Sequence, residues 1–136
     1  SLPIVTELIG NVVVRNKETL SKLSEMKKNA YFTKDSNVTI VLLARELSDY
    51  WQQDLGAVSE NMLLEATRLG IGSCWAQVRL RGLSDGTPSD EILRELLQYP
   101  HNMSALSIIA FGYPAIERKM QDEDKLKWEN VHVNKF

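Results

Sequence analysis

The chain has 136 residues, 43% of them hydrophobic and 25% charged, with 7 Gly, 4 Pro and one Cys. Its 16 Lys and Arg against 18 Asp and Glu leave a formal net charge of -2 at pH 7. This is the composition of one ordinary globular domain, here taken as residues 1–136, with no general attraction for nucleic-acid phosphates or anionic lipid and no internal disulfide framework.

Residues 11–15, Asn-Val-Val-Val-Arg, form a short β-branched run that predicts a strand. Asn16 then stands where an N-cap belongs, for a helix over Lys17 to Asn29 whose thin apolar edge is Leu20, Leu23 and Met26. Val38 to Ala44 is a nearly continuous apolar run bounded by polar residues, the pattern of a central strand covered on both faces. Ser48 or Asp49 caps a long helix ending at Leu69, with Gly70 at the left-handed C′ position. Trp51, Leu55, Val58, Met62, Ala66 and Leu69 fall on one stripe of it. Ala57 and Leu64 lie roughly opposite, which predicts burial on two sides, by the chain's own sheet and by a partner subunit.

Gly72 to Val78 reads as a further strand and Arg79 to Gly86 as a polar loop with an Asp85-Gly86 turn. Thr87-Pro88-Ser89-Asp90 supplies a hydroxyl cap, Pro at N1 and an acid at N3 for a helix to about Gln98, with Ile92, Leu93, Leu96 and Leu97 as its apolar face. Ser104 to Phe111 is the last strong strand, stopped by Gly112-Tyr113-Pro114. Ala115 to Lys127 is polar and predicts a surface course, while Val131 and Val133 alternate with polar residues as a short strand or a tail gripping a neighbour would.

The longest apolar run, Ile40 to Ala44, is far short of a bilayer span, and no basic residue precedes Arg15 to form a signal n-region. A cytoplasmic location without membrane or nucleic-acid partners is the expectation. The two histidines, His101 and His132, have no Cys or His at metal-ligand spacing, so no metal site is expected. Cys74, with no basic residue beside it in sequence, reads as a packed small side chain rather than a nucleophile, and no residue is assigned a catalytic role. Arg79 and Arg81 alternate along an extended stretch, which suits either steering of an anionic cofactor or simple solvation. Asn61, off the apolar stripe, suits either a bond across a subunit interface or an exposed position. Gly70-Ile71-Gly72-Ser73 fails as a dinucleotide fingerprint because it runs from helix to strand rather than from strand to helix. Two glycines and a serine there do leave backbone amides open to a flat or anionic ligand.

Trp51 to Ala66, followed by Leu69-Gly70-Ile71-Gly72-Ser73-Cys74-Trp75, resembles the FMN-dependent nitroreductase family. Val12 to Leu20 resembles that family's entry from strand to helix, and Ala110-Phe111-Gly112-Tyr113-Pro114 its last core strand and exit. The resemblance runs in order from about Asn11 to the C-terminus. It implies an α+β fold, three-layer α-β-α with a mostly antiparallel central sheet, in an intertwined homodimer with FMN at the subunit interface. It also implies hydride transfer from NAD(P)H through FMN to nitroaromatic, quinone or similar small-molecule acceptors, with the flavin carrying the chemistry.

By resemblance, Gly72, Ser73, Cys74, Trp75 and Gln77 approach the isoalloxazine ring, largely through backbone groups, and Lys125 and Lys127 match a basic pair that contacts the FMN phosphate. The chain departs from the family at its start, where Ser1 to Gly10 carry neither an Arg-Ser-x-Arg motif nor an Asn-x-Gln-Pro-Trp-like stretch. The expectation is therefore a chain short of the family's N-terminal segment, with a dimeric binding or scaffold module that has lost FMN as the alternative function.

Overall fold

The computed structural model describes residues 9–45, 49–117 and 119–136. Strands β1 (Ile9–Val14), β2 (Val38–Arg45), β3 (Gly72–Gln77) and β4 (Met103–Gly112) form one sheet in the order β1-β2-β4-β3, and every pairing is antiparallel. Helix α1 (Lys17–Leu23), a 3-10 segment (Lys28–Asp35) and helix α3 (Ser89–Leu97) contribute Leu20, Leu23, Ala30 and Leu93 to the core on one face. Helix α2 (Trp51–Arg68) contributes Trp51 and Leu55 on the other. The result is the expected α+β arrangement of a sheet between helices.

Side-chain alternation along the strands builds this division. On β2, Val41 and Leu43 join the core beneath α1 and α3, whereas Leu42 and Ala44 join the core beneath α2. The run read as a doubly covered strand is thus central and buried from Val41 to Ala44. β4 is buried from Ser104 to Ala110 and carries one extra residue. Leu42 pairs with Ser107 and Leu43 with Ala105, leaving Leu106 unpaired in a bulge.

Several boundaries differ from the sequence reading. Asn16 caps α1 as expected, its Oδ1 accepting from the Thr19 N–H at 3.0 Å. The helix nonetheless ends at Leu23 rather than Asn29, because Glu25 and Met26 donate to Lys22 and Leu23 in tighter i to i-3 bonds. That turn carries Met26 into the core at full burial. α2 begins at Trp51 after Tyr50, without a side-chain cap, so Asp49 is not its cap; Ser48 lies outside the described residues. Gly70 adopts the predicted left-handed conformation at φ 72°. Leu69, assigned to the buried stripe, is exposed, while Ser59, polar and overlooked, is fully buried.

Helix α3 starts at Ser89 with Pro88 at the cap position and no side-chain cap, so Thr87 does not play that part. The Ser89 hydroxyl instead donates to the Met26 carbonyl at 2.9 Å and the Ser89 N–H to the Arg81 carbonyl at 2.9 Å. Val131 and Val133 are exposed and form no strand. Among the described residues of the tail, helical structure is confined to short 3-10 turns at Glu123–Lys125 and Trp128–Asn130. Among the described residues no helix is long and apolar enough to cross a membrane.

α3 is locked to β4 through Asp90. Its Oδ1 accepts from the Tyr99 hydroxyl and from the Ala105 N–H at 3.1 Å, and its Oδ2 pairs with Arg94 Nη2 at 3.2 Å. Arg94 Nη2 also donates to the Met103 carbonyl at 2.7 Å, and the guanidinium stands 5.1 Å from the Tyr99 ring centroid.

Two outcomes are expected. Leu55→Ala, at a fully buried position under α2, should lower unfolding free energy by about 2–5 kcal/mol in urea denaturation. Burial first, and then the bond to Asp90, push the Tyr99 phenol well above its ordinary range, against a smaller opposing effect of Arg94. A raised folded-state value contributes stability below the unfolded phenol's value of about 10, lost as pH rises beyond it. Tyr99→Phe should therefore cost about 1.5–3 kcal/mol at neutral pH. It should also lose less stability than the parent between about pH 9 and about pH 11, as denaturant titrations at both ends would measure.

Candidate functional site

β3 lies at an edge of the four-stranded sheet, paired to β4 from Gly72 with Gly112 to Gln77 with Ser107. In an antiparallel ladder alternate residues direct both N–H and C=O away from the partner, so the outer side of β3 presents backbone donors and acceptors that the sheet does not use. On one face, Ala76 joins the core beneath α1 and α3, as does Val78 just past the strand's end. On the other, Trp75 packs against the core beneath α2, and its indole Nε1 donates to Gln77 Oε1 at 3.1 Å.

Gly72 sits where a side chain would be crowded: a Cβ there would meet the Gly112 carbonyl oxygen at 3.1 Å and Pro114 at 3.7 Å. This close crossing opens a cleft on each side. One, of about 920 Å³, is lined by Gly70 to Cys74 and by the Pro114 to Glu117 stretch. The other, of about 220 Å³, joins Gly72, Ser73 and Cys74 to Phe32, Asp35 and Ser36. The structure thus brings Gly72, Ser73 and Cys74 to two shared clefts, which Trp75 and Gln77 do not line.

Lys125 lines a separate cleft with Lys119, Met120 and Asp122, and pairs with Asp122 at 3.9 Å, both side chains exposed. Lys127 is exposed in the same tail and lines neither cleft of the glycine segment. Cys74 is exposed rather than packed. A cation also reaches it across the fold, since Lys27 lies within electrostatic range of its thiol. Desolvation pushes that thiol up and the Lys27 charge pulls it back. Lys27, which stands just ahead of the 3-10 segment, was not visible as a partner in the residues flanking Cys74.

The two arginines of the loop separate. Leu80, at φ 61°, turns the chain through the left-handed region, so the expected extended alternation does not hold. Arg79 stands 6.0 Å from the Trp51 ring centroid on the α2 side, while Arg81 comes within electrostatic range of Lys27 on the other. His101 lines a cleft of about 540 Å³ with Glu91, Arg94 and Tyr99, and His132 packs on Phe136 with ring centroids 4.4 Å apart. Among the described residues no three His, Cys, Asp or Glu side chains converge to hold a metal ion.

A half-buried apolar strip also runs along α2. Val58, Met62, Ala66, Ile71 and Phe111 line a shallow cleft of about 370 Å³ with Asn61, whose side of the helix is exposed. Ala57 and Leu64 are exposed, so the side of α2 opposite the sheet is bare within one chain.

Comparison with known proteins agrees with this architecture. The nitroreductase family model matches residues 5–113. A protein of Archaeoglobus fulgidus, provisionally named NADH dehydrogenase/NAD(P)H nitroreductase, is 35% identical over 131 residues, covering 92% of this chain and 72% of its own length. A like-named protein of Methanothermobacter thermautotrophicus is 33% identical over 125 residues, and the chain spans 63% of its length. Among solved structures, an FMN-dependent nitroreductase from Clostridium difficile R20291 superposes with a TM-score of 0.92 at 34% identity, covering 100% of this chain and 79% of that one. With the family model matching most of the chain and a relative 35% identical across 92% of it, the chain belongs to the nitroreductase family.

Proposed function

We propose that the chain is an FMN-dependent NAD(P)H oxidoreductase that passes reducing equivalents to nitroaromatic, quinone or similar small acceptors, and that it works as a homodimer. The observation that carries the reading is the unpaired outer edge of β3 beside an open cleft, in a chain of this family. A planar ring with polar edges needs donors and acceptors at fixed height along one line, which an edge strand supplies without side chains. The donor set therefore fits FMN. When bound, FMN accepts hydride from the nicotinamide and delivers electrons to the acceptor, so the protein supplies binding and orientation.

In this reading Gly72, Ser73 and Cys74 admit the ring to the strand edge, and Trp75 holds the Gln77 carboxamide by its oxygen, turning the amide nitrogen outward as a donor. Lys125 and Lys127 are the proposed phosphate contacts, reached across the subunit boundary rather than within the clefts of the glycine segment. The exposed side of α2 that carries Ala57 and Leu64 supports the dimer, since its occupation by a second copy would remove Leu64 from water.

The visible spectrum after saturation with FMN and removal of free ligand tests the reading. Retained flavin bands are expected, with NAD(P)H oxidation by the loaded protein. Lys125→Ala with Lys127→Ala should weaken FMN about tenfold or more at low salt while leaving riboflavin affinity unchanged. A colourless protein that is dimeric would instead favour the scaffold module.

A further inference from the structure

We propose that the cleft at the C-terminal end of α3 binds a small zwitterion, a free amino acid whose carboxylate meets Arg94 and whose ammonium groups meet Glu91 and Glu95. The cleft, of about 540 Å³, is lined by Glu91, Arg94, Glu95, Gln98, Tyr99 and His101. It shares no residue with the clefts at Gly72, so the site is argued independently of flavin binding.

Arg94 is an anchored donor. Its Nη2 alone answers both Asp90 Oδ2, at 3.2 Å, and the Met103 carbonyl, at 2.7 Å, while the guanidinium stands 5.1 Å from the Tyr99 ring centroid. These contacts fix a side chain that is only 18% exposed, yet they use a single nitrogen. Nε is buried without a partner, and Nη1, which is not buried, makes no hydrogen bond among the described residues. An arginine already held in place, with Nη1 left over, receives a carboxylate without first losing its own freedom.

The opposite charge is supplied by the helix itself. Glu91 and Glu95 stand one turn apart on α3, both exposed, and neither carboxylate has an ion pair among the described residues. Like charges at this spacing destabilise a helix, and Glu95 also sits in the last turn, where the helix dipole disfavours a carboxylate. Gln98 adds a further local cost, because it ends the helix at φ 60°, a left-handed conformation usually taken by glycine. Its amide nitrogen donates back to the Glu95 carbonyl at 2.6 Å, which leaves the amide oxygen to accept from an ammonium.

The unanswered guanidinium, the misplaced carboxylate and the strained helix end all line one cleft, and choices that cost stability gather where a site needs them. The charges then sort the ligand. Asp90 offsets Arg94, so the cleft is acidic as a whole and repels a plain anion, while Arg94 stands against a plain cation. A molecule that carries both signs satisfies both ends.

The two histidines give the readout, since His101 lines the cleft and His132 lies in the tail against Phe136. Their imidazole C2–H signals, assigned with His132→Gln, are followed by proton NMR at constant pH and low ionic strength as L-lysine is added. A saturable shift of the His101 signal is expected, with His132 unmoved. Cadaverine, which is lysine without its carboxylate, and hexanoate, which lacks both amines, should each bind at least about tenfold more weakly. Glu95→Gln should weaken lysine about tenfold or more while keeping or raising the thermal midpoint, a combination that a merely structural role for Glu95 would not produce. A His101 signal that stays fixed in the millimolar range, a His132 signal that moves with it, or unchanged lysine affinity in Glu95→Gln would overturn the site. Cadaverine binding as tightly as lysine would overturn the part given to Arg94, and hexanoate doing so would overturn the part given to the two acids.

Discussion

The structure depends on β4 being buried on both faces while supporting a partner strand on each side. From Ser104 to Ala110 no residue of this strand reaches solvent appreciably, so each polar atom it carries has to be answered inside the protein. The ladders to β2 and β3 answer most of the backbone. The extra residue at Leu106 changes the terms locally, because its carbonyl accepts from both Val78 at 2.8 Å and Arg79 at 3.1 Å. That double acceptance ends β3 as a paired strand and starts the turn at Leu80. The opposite destinations of Arg79 and Arg81 follow from the bulge as much as from the loop itself.

The same strand explains the buried serines. Ser107 faces α2, where Ser59 has already given its hydroxyl proton to the Leu55 carbonyl at 2.7 Å. Ser107 must therefore donate to Ser59 Oγ, 2.9 Å away. A single chain of two bonds satisfies both hydroxyls and fixes the helix over the sheet at one height. An apolar pair of the same size would pack as well but would let α2 slide along the strand. The glycine crossing lies at the C-terminal end of this helix, so the height of α2 over β4 sets where Gly70 turns the chain and where the edge of β3 begins.

How much of this was legible in the sequence follows the range of the interactions. The strands and α2 were legible because their signals are periodic and local: the apolar run of β2, the stripe through Trp51, Leu55 and Ala66, and the stop at Gly70. α1 came out too long because its apolar spacing continues through Met26, and nothing in the residues tells that the chain tightens at Ser24 to deliver Met26 to the core. Thr87 and Asp90 carry the pattern of a capping pair, yet Asp90 is drawn away by Tyr99, Ala105 and Arg94, partners whose nearness exists only after β4 has docked. Within the candidate site, Gly72, Ser73 and Cys74 were legible through glycine spacing and family likeness. The cation beside Cys74 was not, because it arrives from the far side of β2 in sequence.

An exposed strand edge is ordinarily a hazard, since unused backbone groups invite another chain to pair with them. β3 keeps its edge short, with six residues, and clefts open on either side of its first three residues. At its start the strand runs so close to its partner that a Cβ at Gly72 would stand 3.1 Å from the Gly112 carbonyl oxygen. A short edge flanked by two clefts offers a second β-strand few backbone groups to pair with. The backbone groups on the outer side of β3 can therefore stay unpaired within the chain without making the sheet prone to edge-to-edge growth.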